Sequence, residues 1–360
     1  MSEASAVASG ACLPGGEALV STTFAYFRVA FGVTLAGLAL AFWLGTLHGG
    51  GLGDGFAALI IGAALAVLEV SISFDNAIVN ANTLNTMSLV WRRRFLTWGI
   101  VIAVFGMRIL FPLVVVGIAA NLGPWDALRL ATQNPLGYEA ALEGARVPIA
   151  AFGGTFLMMV ALGYFVNEHK EIHWFDRLEC KLKACGSLRG LESAMVLVVI
   201  LGFASMLPNA VADGFMIASI AGLLTFTVVK LLGRALDSHG LSSGGLGAFL
   251  YLELLDASFS FDGVIGAFAM TQNIFLIAIG LGIGAMFVRS MTVMLVDRGT
   301  LTEFRYLEHG AFYSILALSV IMFIQTQVEV SELVTGAFGV GLIGASLWAS
   351  IRYNRRTDAM

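Results

Sequence analysis

The chain has 360 residues, of which 58% are hydrophobic and only 12% charged, against about 25% charged in soluble domains. That composition excludes a soluble globular protein and points to the bilayer as solvent. The net charge of −4, with no basic tract, excludes a nucleic-acid partner, and three cysteines, Cys12, Cys180 and Cys185, make no disulfide framework.

Residues 1–23 are small and polar, hold neither Lys nor Arg and lack the basic start of a signal peptide, so a disordered tail is expected. A spanning helix needs about 20 mostly apolar residues. Ten runs qualify: 24–47, 56–85, 95–121, 148–166, 192–207, 210–234, 246–270, 274–297, 311–327 and 333–352. Pro208-Asn209 is expected as a tight turn between the fifth and sixth, since Pro ends helices. Residues 122–147 read as an outer loop with a short interfacial helix, 167–191 as the main cytoplasmic loop and 353–360 as a cytoplasmic tail. The expected fold class is an all-α polytopic membrane protein.

The placement of cations tests the count. With the N-terminus inside, the cytoplasmic segments hold 15 of the 20 Lys and Arg residues and the outer ones only Arg129 and Arg146. Arg28, Arg108 and Arg289 lie within spans. The split supports ten spans with both termini cytoplasmic; an error of one helix would scramble it.

Two of these spans carry copies of one motif. Leu68-Glu69-Val70-Ser71-Ile72-Ser73-Phe74-Asp75-Asn76 matches Leu255-Asp256-Ala257-Ser258-Phe259-Ser260-Phe261-Asp262-Gly263 at a constant offset of 187. Ala36-Gly37-Leu38 matches Ala221-Gly222-Leu223, and Gly99 with Arg108 matches Gly280 with Arg289. Helices 1–3 thus correspond to helices 6–8. Five helices separate the partners, an odd number, so the copies run in opposite directions. Residues 24–207 and 208–352 are therefore expected to be two inverted five-helix repeats, a plan that places transporter sites at the repeat interface.

Acids at membrane depth cost at least ~2.5–3.5 kcal/mol each on insertion scales and mark functional sites. Here there are five: Glu69, Asp75, Glu253, Asp256 and Asp262. Glu253 and Asp256, three apart, share a helix face. Glu69 and Asp75, like Asp256 and Asp262, are six apart and lie about 240° round a straight helix. Convergence requires a break. Ser71, Ser73, Ser258 and Ser260 can bond backbone carbonyls and bend a helix, and Gly263 weakens one. Both motif helices are therefore expected to be kinked, with freed carbonyls available as ligands. Carboxylates, the Asn76 amide and hydroxyls form an oxygen-only donor set, which suits Mn²⁺, Mg²⁺ or Ca²⁺ rather than Zn²⁺. Arg108 and Arg289 leave about three of five negative charges unbalanced if all are ionised. The bland alternative is that the acids pair with these arginines and serve helix packing.

Other polar clusters carry less. Glu168, His169, Glu171, His173 and Asp176 read as a solvated loop, although His169 and His173 on one helix face would suit a metal. Glu308 and His309 read as a proton relay at the cytoplasmic mouth.

Glu69-x3-Ser73-x-Asp75-Asn76 and Glu253-x2-Asp256-x2-Phe259-x2-Asp262 resemble the two signatures of the TerC family of integral membrane proteins. Gly247 to Glu253, Ala285 to Ser290 and Tyr306 to Gly310 resemble a branch of it once held as a domain of unknown function. More typical members have Ala and Ser where this chain has Ser260 and Gly263. The resemblance implies a superfamily of exporters that includes the LysE type, with links to manganese efflux and tellurium resistance.

The expectation is thus a bacterial inner-membrane transporter, not an enzyme, that exports a divalent cation, manganese first, in exchange for protons. Glu69, Asp75, Asn76, Glu253, Asp256 and Asp262 would be its ligands. Ser71, Ser73, Ser258, Ser260, Arg108 and Arg289 would support them. Its partners are the cation and the lipid bilayer, with homo-oligomerisation left open, and no prosthetic group is expected. The alternative is a membrane anchor for a tellurium or stress-resistance complex, docked through residues 167–191.

Overall fold

The computed structural model describes residues 16–357 except 100, 111–112, 115–116, 118–121, 168–169, 185–189, 239–244, 272 and 329. Every regular element among the described residues is helical. Among the described residues, seven helical segments are long and apolar enough to cross a membrane: Phe24–Leu47, Leu52–Ile72, Arg146–Phe165, Asn209–Gly233, Ile274–Asp297, Leu307–Gln325 and Val334–Thr357. Their outward faces expose Leu35, Trp43, Ile60, Val67, Ile217, Leu224 and Trp348. Apolar surface on that scale suits hydrocarbon rather than water. The protein is a polytopic all-α membrane protein.

The helices are α1 (Gly16–Gly49), α2 (Leu52–Ile72), α3 (Phe74–Thr86) and α4 (Leu89–Arg94), followed by two π-helical segments, Phe95–Gly99 and Ile102–Leu110. Then come α5 (Pro124–Gln133), α6 (Pro135–Gly144), α7 (Arg146–Phe165), α8 (Asp176–Ala184), α9 (Leu191–Ala204) and α10 (Asn209–Ser238). The chain closes with α11 (Leu246–Met270), α12 (Ile274–Asp297), α13 (Thr300–Glu303), α14 (Leu307–Gln325) and α15 (Glu332–Thr357).

Several boundaries differ from expectation. Residues 16–23, expected as tail, extend α1, and 353–357 extend α15; each residue added to an existing helix closes another backbone hydrogen bond. The remainder of both expected tails, 1–15 and 358–360, lies outside the described residues. The expected span 192–207 is a 14-residue helix, too short to cross alone. The turn at Pro208 falls between α9 and α10 as expected. Residues 122–147, expected as an outer loop with one short helix, hold two short helices, α5 and α6, each with Pro in its first turn, where the missing N–H costs nothing.

In lipid, helices associate by close fit and polar contact. The centre of the bundle is α12, packed against α1, α2, α3 and the Ile102–Leu110 segment. Gly280 and Gly284 on α12 face Leu65 and Glu69 on α2, both pairs four residues apart. A Cβ on Gly280 would meet Leu65 Cβ at 2.5 Å, and one on Gly284 would run into the Glu69 side chain. Two missing side chains thus let α12 approach α2 closely enough to seat an acid between them. A second core, with Phe156, Leu157, Phe215 and Phe323 buried in it, joins α7, α10 and α14.

Candidate functional site

The first motif breaks, at Ser73. Its backbone (φ −94°, ψ 15°) lies outside the helical region and separates α2 from α3. Yet Ser73 N–H still donates to Glu69 C=O at 3.0 Å and Ala77 N–H to Ser73 C=O at 3.3 Å. The break is a kink, and it frees neither of those carbonyls. It does create a helix N-terminus at Asp75, whose Oδ1 accepts from Asn76 N–H at 2.9 Å, where the end of the helix dipole favours a carboxylate.

The second motif does not break, a correction to the expectation. Glu253, Asp256 and Asp262 all lie on the continuous helix α11. Ser258 Oγ donates to Leu254 C=O at 2.9 Å, yet the helix runs through it unbroken. The Asp262 side chain lies outside the described residues.

The two motifs meet at Arg108. Its Nη2 donates to Glu69 Oε1 at 2.5 Å and its Nη1 to Asp256 Oδ2 at 3.1 Å. Asn76 Nδ2 donates to the other Asp256 oxygen at 2.8 Å, and Ser73 Oγ to Glu69 Oε1 at 3.2 Å. Glu69, Ser73, Asn76, Arg108 and Asp256 are all buried. One guanidinium, carried on a π-helical turn, thus ties an acid from the first motif to an acid from the second. For this pair the pairing alternative holds, because a planar fork satisfies two carboxylates in a medium without water.

Beside Arg108 lies a cavity of about 40 Å³, lined by Asn80, Phe95, Gly99, Val104, Arg108, Glu253, Asp256, Ala285, Val288, Arg289 and Thr292. A single water needs about 10–15 Å³ by this measure, so the space suits an ion or a few waters. Two residues of this lining, Glu253 and Asn80, each carry a buried acceptor oxygen, Oε1 and Oδ1, with no hydrogen-bond partner within the protein; Asn76 Oδ1 is likewise unbonded, but Asn76 bonds Asp256 from outside the lining. A Cβ on Gly99 would stand 3.1 Å from Glu253 Oε1, so the glycine leaves this carboxylate its room.

The remaining expected ligands fall elsewhere. Asp75 is buried, but it accepts from Ser314 Oγ of α14 at 2.8 Å and does not line the cavity. Ser71 is exposed and bonds Val67 C=O. Ser260 Oγ reaches Met107 C=O at 3.5 Å. Among the described residues, no three His, Cys, Asp or Glu side chains gather as a metal cage. The expected single cluster of acids is therefore corrected to two places, Glu69 with Glu253 and Asp256 around Arg108, and Asp75 against α14. The helix geometry explains this: a one-residue kink cannot turn Asp75 through the angle that separates it from Glu69.

A second polar network closes the loop between α7 and α9 onto α7 and α14. Glu179, fully buried, accepts from Lys170 Nζ at 2.7 Å, Tyr313 OH at 3.0 Å and the backbone N–H groups of Phe175 and Trp174 at 3.1 and 3.3 Å. His309 Nε2 and His173 Nδ1 lie 3.4 and 3.5 Å from its Oε2. The Lys170 ammonium also sits over the rings of Tyr164 and Phe165. Burial by itself raises the Glu179 carboxyl, but the hydrogen bonds of His309 and Lys170 outweigh it and hold it below the usual carboxylate range. Burial lowers the Lys170 ammonium. His309 is buried within this clasp. His173, read as part of a solvated loop, belongs to the same clasp and lies outside any helix. Glu168 and His169 lie outside the described residues.

The sequence reading missed Asn80, Thr292, Ser314, Lys170 and Glu179. Asn80 had a signal, since it stands one turn beyond Asn76 on the same face. Ser314 and Glu179 had none, because their partners are 239 and 9 residues away by contacts only the fold creates.

No curated protein and no solved structure matches the chain. A family profile described as a protein of unknown function (DUF475) matches residues 74–357, which takes in α3, Arg108, the cavity and the Glu179 clasp and begins just after the kink at Ser73. The chain belongs to the DUF475 family.

Proposed function

We propose that this protein is a secondary transporter that exports a divalent metal cation, manganese first among the candidates, from the bacterial cytoplasm across the inner membrane. The observation that carries this reading is the pair of buried acceptor oxygens on Glu253 and Asn80 that lack a donor and line a cavity of about 40 Å³. An acceptor buried without a donor costs about 1–3 kcal/mol. One hard cation satisfies several at once, and an all-oxygen set suits Mn²⁺, Mg²⁺ or Ca²⁺. Glu69, Glu253 and Asp256 face Arg108 and Arg289, so carboxylates outnumber guanidiniums at the site. Glu253, whose Oε1 is unbonded, is the group to exchange a proton for the metal.

The resemblance to the TerC signatures supports the same cargo. The plan of ten spans in two inverted repeats draws support from the packing. Helix α2 packs on α12 as α11 packs on the Ile102–Leu110 segment, an exchange of partners that an inverted repeat requires. The halves diverge at their arginines, since Arg108 bridges two carboxylates while Arg289 lines the cavity.

The test is manganese flux into proteoliposomes loaded with a metal-sensitive dye. Glu253→Gln and Asp256→Asn should each reduce the initial rate by at least about tenfold, the scale of a lost charged ligand. Wild-type rates in both variants would remove the site from the pathway.

A further inference from the structure

The same guanidinium that holds the site together also occupies it. Resting on the transporter reading, we propose that Arg108 is a tethered cation that competes with the cargo for Glu69 and Asp256, so that loading the site and withdrawing Arg108 are one event. Three observations meet here. Both Arg108 Nη atoms are committed to carboxylates of opposite motifs, the pair that an ion shared between the repeats would take. The cavity adjoins both Arg108 and Asp256, and the lining oxygens without a donor belong to Glu253 and Asn80. A cation entering beside them adds a positive charge next to the guanidinium, and at low dielectric the two repel strongly.

The third observation is the seat of the arginine. Arg108 lies on the π-helical segment Ile102–Leu110, itself preceded by the π-helical Phe95–Gly99. A π-turn carries one residue more than an α-turn, and such turns recur at functional sites. Returning the segment to α-helical hydrogen bonding rotates the side chains beyond the change by about 100°. That rotation would carry Arg108 off Asp256 without unfolding a helix. A purely structural clamp predicts the opposite behaviour, in which removing Arg108 loosens the site and weakens any ligand.

The two roles separate in a binding measurement on full-length protein in lipid nanodiscs. Free Mn²⁺ is titrated by its electron paramagnetic resonance signal, alongside thermal melts with and without the metal. Arg108→Gln should bind Mn²⁺ at least about tenfold more tightly than wild type, and Mn²⁺ should raise its melting temperature more than that of wild type. Arg108→Lys keeps a positive charge but cannot fork between two carboxylates, and its affinity should fall between the two. Unchanged or weaker affinity in a folded Arg108→Gln overturns the proposal. If that variant does not fold, Arg108→Lys decides, and affinity at or below wild type overturns it. Should wild type bind Mn²⁺, and Glu253→Gln weaken it, while neither arginine variant tightens it, the competition falls and the transporter reading stands. If no form binds Mn²⁺, both fall.

Discussion

Ser314 donates a 2.8 Å hydrogen bond to Asp75 across 239 residues of chain, and with it the first-motif aspartate is turned away from Arg108 towards α14. The residue before Ser314 is Tyr313, which bonds Glu179 in the clasp. One turn of α14 therefore touches the motif helix and the loop between α7 and α9 at once. Ser314→Ala leaves a buried carboxylate short of a donor, which costs about 1–3 kcal/mol. Thermal melting of the purified variant should show that loss, and Ser314→Thr, which keeps the hydroxyl, should recover part of it.

The close approach of α2 and α12 is a second point of leverage. A Cβ on Gly284 has no room beside Glu69, and overpacking of this kind costs about 1–3 kcal/mol. Gly284→Ala should lower both stability and manganese flux, because it displaces a carboxylate that Arg108 holds. Gly202→Ala, where the added carbon meets nothing within 4 Å and the residue lies inside a helix, should melt no lower than wild type, since Ala is the better helix former. Equal melting of the two variants would mean that Gly284 is not a packing constraint.

How much of this was legible beforehand follows from what kind of contact each residue makes. Glu69, Asp256 and Arg108 were readable because charge inside an apolar run needs a reason, and each sits in a matched motif. The kink at Ser73 was readable from the Ser-x-Ser spacing, yet the same spacing in the second motif gave a straight helix. Serine offers its hydroxyl to the preceding turn in either case, and tertiary contacts decide whether the backbone follows. Asp75 was misplaced because spacing along a helix gives an angle but not a partner, and Ser314 was invisible among the serines of an apolar span. Glu179 looked like one more loop acid; only the fold brings His309 and Tyr313 down onto it.

The clasp carries a pH dependence with a definite sign. Glu179 is held below its ordinary value of 4.5, so the folded state favours its ionised form. Its contribution is complete above pH 4.5 and is lost as pH falls through the lowered value. Hydrogen exchange of residues 170–183, corrected for the intrinsic rate, should be flat from neutrality down to that point and rise below it. Glu179→Gln should expose the segment at neutral pH and abolish the acid transition. An acid transition that persists in the variant would assign it to another group.

Lys170 gives the converse check. Truncating one partner of a buried ion pair costs about 3–5 kcal/mol, and here Lys170→Met leaves Glu179 without its nearest cationic donor, at 2.7 Å. Exchange protection of the segment around Trp174 should collapse in this variant. Lys181→Met, on the same loop outside the clasp, should leave protection unchanged.

The account rests on Glu253 and Asp256 holding a cation on its way out of the cell. The direct measurement is cellular manganese by elemental analysis in a manganese-sensitive bacterial strain under manganese challenge. Cells carrying wild type, Glu253→Gln, Asp256→Asn or no protein would be compared at matched membrane levels. The account predicts low manganese with wild type alone, and values in both variants indistinguishable from cells without the protein. Low manganese in either variant, or no effect of wild type, would contradict it.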